Sequence, residues 1–192
     1  MSEFKSESDK NAALLNKAII FAVEEHAGQV RKGTDLPYIV HPLEVMTILG
    51  AMHVDAEVMA AGVLHDTVED TGATIDDIKA NFGDRVAELV QGHTEDKSKS
   101  WEERKKEALE ELRDAPFDLK CLVMADKLSN MRAIARDYRQ IGDKVWERFS
   151  RPKDKQAWYY AGGVKALESM QENENTAEFY EEFKGLYEEA FG

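Results

Sequence analysis

The part of the sequence best suited to chemistry is segment 64–71, which reads LHDTVEDT and follows an alanine-rich apolar run. It carries one imidazole and three carboxylates, on His65, Asp66, Glu69 and Asp70. Carboxylates at this density cost free energy unless a cation neutralises them. If the apolar run continues as a helix, His65 and Glu69 share one face. We therefore expect this segment to hold a divalent metal ion and to place a base beside it.

Further metal ligands must come from segments that are distant in sequence, because the fold draws the ligands of a metal site together. His41 stands at the predicted start of a helix. Asp126 interrupts an apolar helix, where an unpaired carboxylate is costly, and Asn130 lies one turn further on the same face. Simpler roles stay open at this point: Asp126 pairs with Lys127 or Arg132. His41 then serves only as a helix cap.

The composition limits the classes of function. The chain has 192 residues with a net charge of −13, which argues against a protein that coats nucleic acid. The single Cys121 excludes an internal disulfide and fits a reducing compartment. Residues 1–10 lack the apolar core of a signal peptide, and no apolar run approaches 18 residues. We expect a cytoplasmic protein that does not span a membrane.

Almost every segment predicts a helix, because Gly and Pro are sparse and no stretch alternates with a period of two. Helices are expected over about 11–25, from 41–42, from 55 into the acidic segment, over 74–82, 84–92, from 100, over 116–138, after 155 to about 170, and over 175–191. The basic segment 28–36 is expected to form a flexible loop. We predict an all-α fold with one domain over 1–192, a core at about 10–170 and the C-terminal helix, about 175–191, packed on it.

Five ordered motifs resemble the HD superfamily of metal-dependent phosphohydrolases, and more narrowly the hydrolase domain of RelA/SpoT alarmone enzymes. The motifs are GQVRK at 28–32, PYIVHP at 37–42, LHDTVEDT at 64–71, FG at 82–83 and ADKLSNMR at 125–132. The resemblance covers about 10–170. In containing only the hydrolase domain, the chain is similar to small, stand-alone alarmone hydrolases such as the metazoan SpoT homologue.

The resemblance implies a single-domain HD-type helical bundle that removes the 3′-pyrophosphate from (p)ppGpp and yields GDP or GTP. It implies one divalent ion, usually Mn²⁺, with the ligands His41, His65, Asp66 and Asp126. It assigns activation or orientation of the attacking water to Glu69 and Asp70. Substrate binding falls to Arg31 and Lys32, which would hold phosphates, and to Asn130, which would contact the nucleotide.

Other functions share the same metal centre. A ligand set of nitrogen and oxygen atoms suits Mn²⁺, Fe²⁺ or Zn²⁺. The substrate alternatives are NADPH 2′-phosphate, ppApp and nucleoside monophosphates. A non-catalytic module that binds an alarmone or a partner protein is a further alternative, although such a binder has no use for a water-activating pair. The sequence also leaves open whether the protein forms a homo-oligomer. His26 is expected to be a packing residue or to contact a metal ligand without binding the metal itself, and His53 and His93 are expected in exposed loops.

Overall fold

The computed structural model describes residues 6–192, and this part of the chain is built from helices. It contains two 3-10 helices, Gly142–Arg148 and Glu168–Glu172, and one isolated β-bridge between Val30 and Pro37. The α-helices are, in chain order, α1 (Glu7–Glu25), α2 (Val40–Ala51), α3 (Ala56–Leu64), α4 (Thr67–Asp70), α5 (Ile75–Phe82), α6 (Asp84–His93), α7 (Trp101–Asp114), α8 (Phe117–Ile141), α9 (Lys153–Ala166) and α10 (Ala177–Phe191). The predicted all-α class is confirmed.

Contacts divide the chain into two compact units. Among the described residues, unit 1 comprises 6–31 together with 35–94, and unit 2 comprises 32–34 together with 95–192. The single domain expected over 1–192 stays a prediction, and its first five residues lie outside the described residues. Among residues 6–192, no helix has both the length and the apolar character needed to cross a membrane.

Helix α3 is the centre of unit 1, where α1, α2 and α6 pack against it. Its small side chains allow close approach: a Cβ atom at Gly62 would lie 2.3 Å from Cδ1 of Leu49 on α2. Asp55 is the N-cap of this helix, as predicted, and its carboxylate accepts hydrogen bonds from the amides of Glu57 and Val58. This packing fixes the ends of α2 and α3 from which two of the predicted ligands project.

The acidic segment does not continue α3, which corrects the expectation of one uninterrupted helix. Helix α3 ends at Leu64, and a two-residue turn separates it from the four residues of α4. Two side chains form hydrogen bonds with backbone carbonyls at this end of α3. Thr67 Oγ1 donates to Leu64 O at 2.7 Å, and His65 Nδ1 lies 2.8 Å from Gly62 O. Side-chain bonds of this kind compete with the helical ladder. The turn therefore gives His65 and Asp66 directions that a straight helix would not.

Backbone hydrogen bonds join the two ends of the segment that was predicted to be a flexible basic loop. Beside the bridge noted above, the Arg31 amide donates to Leu36 O at 2.8 Å and the Tyr38 amide donates to Gln29 O at 2.9 Å. Gly28 has a φ of +79°, a backbone conformation that glycine adopts without steric cost. These backbone bonds hold Arg31 and Tyr38 in fixed positions on opposite sides of the loop.

Unit 2 is organised around α8, which begins one residue later and ends three residues later than predicted. Helix α10 packs on α8 and α9, and Arg132 forms a bidentate ion pair with Glu182 at 2.7 and 2.6 Å. Seven residues further along both helices, Arg139 forms the same pair with Glu189. The helix expected to reach about residue 170 ends at Ala166 and is followed by a 3-10 helix.

Candidate metal centre

Two histidines and one aspartate converge in unit 1. His41 lies in the first turn of α2, and His65 and Asp66 form the turn after α3. Asp66 Oδ2 lies 2.9 Å from His65 Nε2 and 3.7 Å from His41 Nε2. The two imidazole rings meet edge to face, with centroids 5.2 Å apart. All three residues are buried, and His65 has no exposed surface.

The hydrogen bond of His65 fixes which of its nitrogens faces the aspartate. The carbonyl oxygen of Gly62 can only accept, so the proton is on Nδ1, which donates to it at 2.8 Å. If the imidazole is neutral, Nε2 carries a lone pair that faces a carboxylate oxygen at 2.9 Å, and if it is protonated, Nε2–H donates to that oxygen as an ion pair. In the neutral form the two lone pairs repel unless a metal cation lies beside them.

The donor set therefore fits a divalent metal ion. Ligand atoms of His41 and His65 lie within 4.8 Å of each other, and a carboxylate oxygen adjoins both. A backbone carbonyl that accepts from the remote nitrogen of a ligating histidine is the usual way in which proteins orient such a ligand. These three residues form a His/Asp group that can hold one metal ion.

Tyr38 lies at the edge of this group and links it to the basic loop. Its hydroxyl donates to Asp66 Oδ2 at 2.5 Å, and its ring lies between two other side chains. The ring of the buried His26 lies 4.8 Å away, and the Arg31 guanidinium carbon lies 5.8 Å from the Tyr38 centroid. Arg31, predicted to hold phosphate, is thus placed on the tyrosine that contacts Asp66.

The two carboxylates predicted to act on water lie on α4. Glu69 is half-buried and Asp70 is exposed. The Asp70 amide donates to Asp66 O at 2.9 Å, and its carbonyl accepts from Gln29 Nε2 at 2.8 Å. Because the Asp70 carbonyl can only accept, Gln29 Nε2 is the donor and Gln29 Oε1 faces His26 Nδ1 at 2.9 Å, so the amide group has one orientation. The backbone that carries both carboxylates is therefore fixed from the basic loop.

The remaining predicted residues belong to unit 2. Asp126 is half-buried on α8, and its Oδ1 accepts from Asn130 Nδ2 at 2.7 Å, as their spacing of one turn predicts. Lys127 is buried, and its ammonium group donates a hydrogen bond to the Tyr159 hydroxyl. This bond argues against an ion pair between Lys127 and Asp126. Lys32, the other predicted phosphate ligand, is exposed.

The sequence did not predict three residues that contact the site residues. Tyr38 and Gln29 lie within the motifs quoted above, but side-chain hydrogen bonds between loops leave no signal in spacing. His93 was expected in an exposed loop, and this is wrong: it ends α6, and its ring packs on that of His65 with centroids 4.8 Å apart. The signal was available, because Val86, Val90 and His93 follow helical spacing. His53 is exposed, as predicted.

Comparison with known proteins identifies the family. The profile of a family described as "HD domain" matches residues 18–154, which is more than half of the chain. The chain belongs to the HD domain family. The predicted resemblance is thereby confirmed, and with it the HD-type fold, because a solved structure aligns over 92% of this chain and 94% of its own with a TM-score of 0.76 and 27% identity. That structure is described as a metazoan ortholog of SpoT that hydrolyses ppGpp and plays a role in starvation responses.

Two relatives match this chain in sequence. The GTP pyrophosphokinase rsh of Brucella ovis is 42% identical over 132 residues, which are 66% of this chain but 18% of that protein. The chain therefore spans about a fifth of the length of this relative. The guanosine-3′,5′-bis(diphosphate) 3′-pyrophosphohydrolase MESH1 of Danio rerio is 40% identical over 129 residues, which are 66% of this chain and 72% of that protein.

Proposed function

We propose that this chain is a metal-dependent hydrolase that removes the 3′-pyrophosphate from guanosine alarmones, converting ppGpp or pppGpp to GDP or GTP and pyrophosphate. The observation that carries the proposal is the buried group in which Asp66 Oδ2 lies 2.9 Å from His65 Nε2 and 3.7 Å from His41 Nε2, because this set of nitrogen and oxygen donors suits a divalent cation. The hydrolase from Danio rerio and the metazoan structure described above support the choice of substrate.

The proposed metal ligands are His41, His65, Asp66 and Asp126. The first three already share a buried group, and the fourth has its carboxylate fixed by Asn130. We propose Mn²⁺ as the ion, since mixed nitrogen and oxygen ligands suit it, and Fe²⁺ or Zn²⁺ would also fit. A bound ion of this kind lowers the pKa of a coordinated water and withdraws charge from a phosphoryl group.

The remaining residues act on water and substrate in this proposal. Glu69 or Asp70 accepts the proton of the attacking water, while the other member of the pair orients it. Arg31 and Lys32 bind the substrate phosphates. A local cation pair is necessary because the net charge of −13 repels a polyanion. Asn130 is assigned a contact with the nucleotide as well as its bond to Asp126.

The proposal includes a cytoplasmic location and a nucleotide as the main partner. The single thiol, Cys121, is fully buried, and burial raises its pKa to about 12, so it stays a protonated core residue. A thiol in this state has no chemical role in the proposed reaction.

The deciding experiment is a substrate panel. The purified chain is incubated with Mn²⁺ and ppGpp, pppGpp, ppApp or NADPH, and the products are separated by anion-exchange chromatography. We expect pyrophosphate and GDP or GTP from the first two compounds. His65→Ala should abolish this activity, and His53→Asn, which replaces an exposed histidine, should retain it. Release of phosphate from NADPH alone would indicate the alternative substrate class, and binding of ppGpp without turnover would indicate a non-catalytic module.

A further inference from the structure

Tyr38 makes contacts with both halves of the proposed chemistry in unit 1. Its hydroxyl donates to Asp66 Oδ2, the same oxygen that faces His65 Nε2 and His41 Nε2. Its ring stands edge-on to His41 at 5.9 Å and carries the Arg31 guanidinium on its face at 5.8 Å.

We infer that Tyr38 is a positioning residue that sets the orientation of the Asp66 carboxylate for the metal and the position of Arg31 for the substrate phosphates. This inference rests on the proposed function, because it assigns Asp66 to the metal and Arg31 to the substrate. Neither the ring nor the hydroxyl of Tyr38 takes part in bond making or breaking.

The hydroxyl acts on the metal side. The carboxylate of an aspartate in a turn can rotate about its Cβ–Cγ bond unless another group forms a hydrogen bond with one of its oxygens. The hydrogen bond from Tyr38 occupies one lone pair of Oδ2 and leaves the plane of the carboxylate fixed. Removing an outer hydrogen bond of this type costs about 10- to 100-fold in metal affinity.

The ring acts on the substrate side. A guanidinium over an aromatic face is attracted by the ring quadrupole, and the stacked geometry also limits the rotamers of a long side chain. The loop is closed beneath this pair, because the Arg31 amide bonds to Leu36 O and the Tyr38 amide bonds to Gln29 O. The arrangement holds the guanidinium in place before a substrate arrives.

The two roles can be separated by two substitutions. Tyr38→Phe removes the hydroxyl and keeps the ring, whereas Tyr38→Leu removes both. The metal affinity of the metal-free protein is measured first, by competition between the protein and a chelating dye for Mn²⁺ without substrate. We expect Tyr38→Phe to bind Mn²⁺ about 10- to 100-fold more weakly than the wild type. At saturating Mn²⁺ its KM for ppGpp should match that of the wild type.

Tyr38→Leu should weaken metal binding to the same extent and should in addition raise KM about 10-fold at saturating Mn²⁺. The matched control is Tyr187→Phe, which removes a tyrosine hydroxyl in unit 2 and should change neither constant. Thermal unfolding of each metal-free variant shows that the fold is kept. A merely structural role of Tyr38 would lower that melting temperature and leave the metal affinity of the folded fraction unchanged.

The outcomes distinguish this inference from the proposed function. Wild-type metal affinity in Tyr38→Phe would overturn the metal side, and an unchanged KM in Tyr38→Leu would overturn the substrate side, while the hydrolase function stood. If the wild type binds Mn²⁺ but hydrolyses no alarmone, the proposed function fails, and the effect of Tyr38→Phe on affinity still decides the metal side. If the wild type binds no divalent ion, both are overturned.

Discussion

His65 Nε2 lies 2.9 Å from Asp66 Oδ2 while His65 Nδ1 lies 2.8 Å from the carbonyl oxygen of Gly62. The second contact places a proton on Nδ1, and in a neutral imidazole the first brings a nitrogen lone pair against a carboxylate, with His65 fully buried and Asp66 9% exposed. Adjacent residues in a turn have no conformational need for such a pair. Its cost is recovered when a divalent cation binds both atoms.

Metal binding should therefore stabilise the fold as well as enable activity. We expect about one divalent ion per chain by elemental analysis. At a free Mn²⁺ concentration of about 100 times Kd, the folded state should gain about 2.7 kcal/mol, seen as a rise in melting temperature. His65→Ala and Asp126→Ala should lose both the ion and this rise, and His53→Asn should keep them. Active wild-type protein without stoichiometric metal would refute the metal centre.

Much of the fold follows from patterns within the sequence. The capping boxes at Thr74 and Ser100 and the N-cap at Asp55 each place a helix start where the structure has it. The end of α3 was not predictable in this way. It depends on Thr67 and His65 bonding to particular carbonyls, and the apolar run before it gives no sign of where helical bonding stops.

The residues of the site also fall into those that the sequence predicts and those that it does not. Residues that bring their own chemistry, such as His65 and Asp66, are visible by type. Residues that orient them are visible only by position, because a tyrosine such as Tyr38 or a glutamine such as Gln29 is common in any loop. Their partners lie 28 and 41 residues away in sequence, and only the fold shows which residues those are.

Close packing of α2 on α3 should control the metal site, since one helix carries His41 and the other leads to His65. Gly62→Ala would place a Cβ 2.3 Å from Leu49 Cδ1, so the Leu49 side chain must change its rotamer or the two helices must move apart. We expect a loss of about 1–3 kcal/mol in the free energy of unfolding and weaker Mn²⁺ binding. Denaturant unfolding and the dye competition measure the two effects.

The control for this substitution is Gly185→Ala in α10, where an added Cβ meets no atom within 4 Å. That variant should be as stable as the wild type or up to about 1 kcal/mol more stable, since alanine favours a helix over glycine. If Gly62→Ala binds Mn²⁺ with wild-type affinity, the spacing of α2 and α3 does not govern the site.

Arg31 should contribute to substrate binding through its charge and its planar group. Arg31→Ala should raise KM for ppGpp and lower kcat/KM about 10- to 100-fold, the loss of one or two charge-assisted contacts. Arg31→Lys should recover only part of this loss, because an ammonium does not bind phosphate in a bidentate manner. Arg113→Ala, at an exposed position on α7, is the control. Unchanged steady-state kinetics in Arg31→Ala would transfer the role to Lys32.

The ion pair at the start of α3 should make stability depend on pH. Partial burial raises the pKa of Asp55, but the hydrogen bond and charge of Arg85, with the amides of Val58 and Glu57, lower it more, so this pKa lies below its ordinary value. The stabilisation is therefore complete above the ordinary pKa of about 3.9 and is lost as the pH falls through the lower, folded-state pKa.

Asp55→Asn isolates this effect, because asparagine is an equally good N-cap but carries no charge. At pH 7 the variant should melt about 1–3 °C below the wild type, as expected for an exposed ion pair. The difference should shrink as the pH is lowered below about 4. Thermal unfolding between pH 7 and pH 3 measures it, and a difference that stays constant over this range would show that Arg85 does not stabilise the ionised form.

The last prediction concerns the two carboxylates on α4. Their backbone is held by bonds that do not involve their side chains, from Gln29 to the Asp70 carbonyl and from the Asp70 amide to Asp66. Glu69→Gln and Asp70→Asn should therefore keep the fold and the metal. Each should lower kcat about 100-fold or more, the usual range for losing a general base or a group that orients water.

Because Glu69 and Asp70 act on the same water, the double variant should lose little more than the worse single variant. The control is Glu24→Gln, an exposed carboxylate on α1, which should leave kcat unchanged. Metal content and steady-state kinetics are measured on the same preparations, since the two readouts separate the possible roles. A Glu69→Gln protein that loses its ion would identify Glu69 as a ligand. One that keeps both its ion and full activity would mean that another group accepts the proton, because nothing else in that variant has changed.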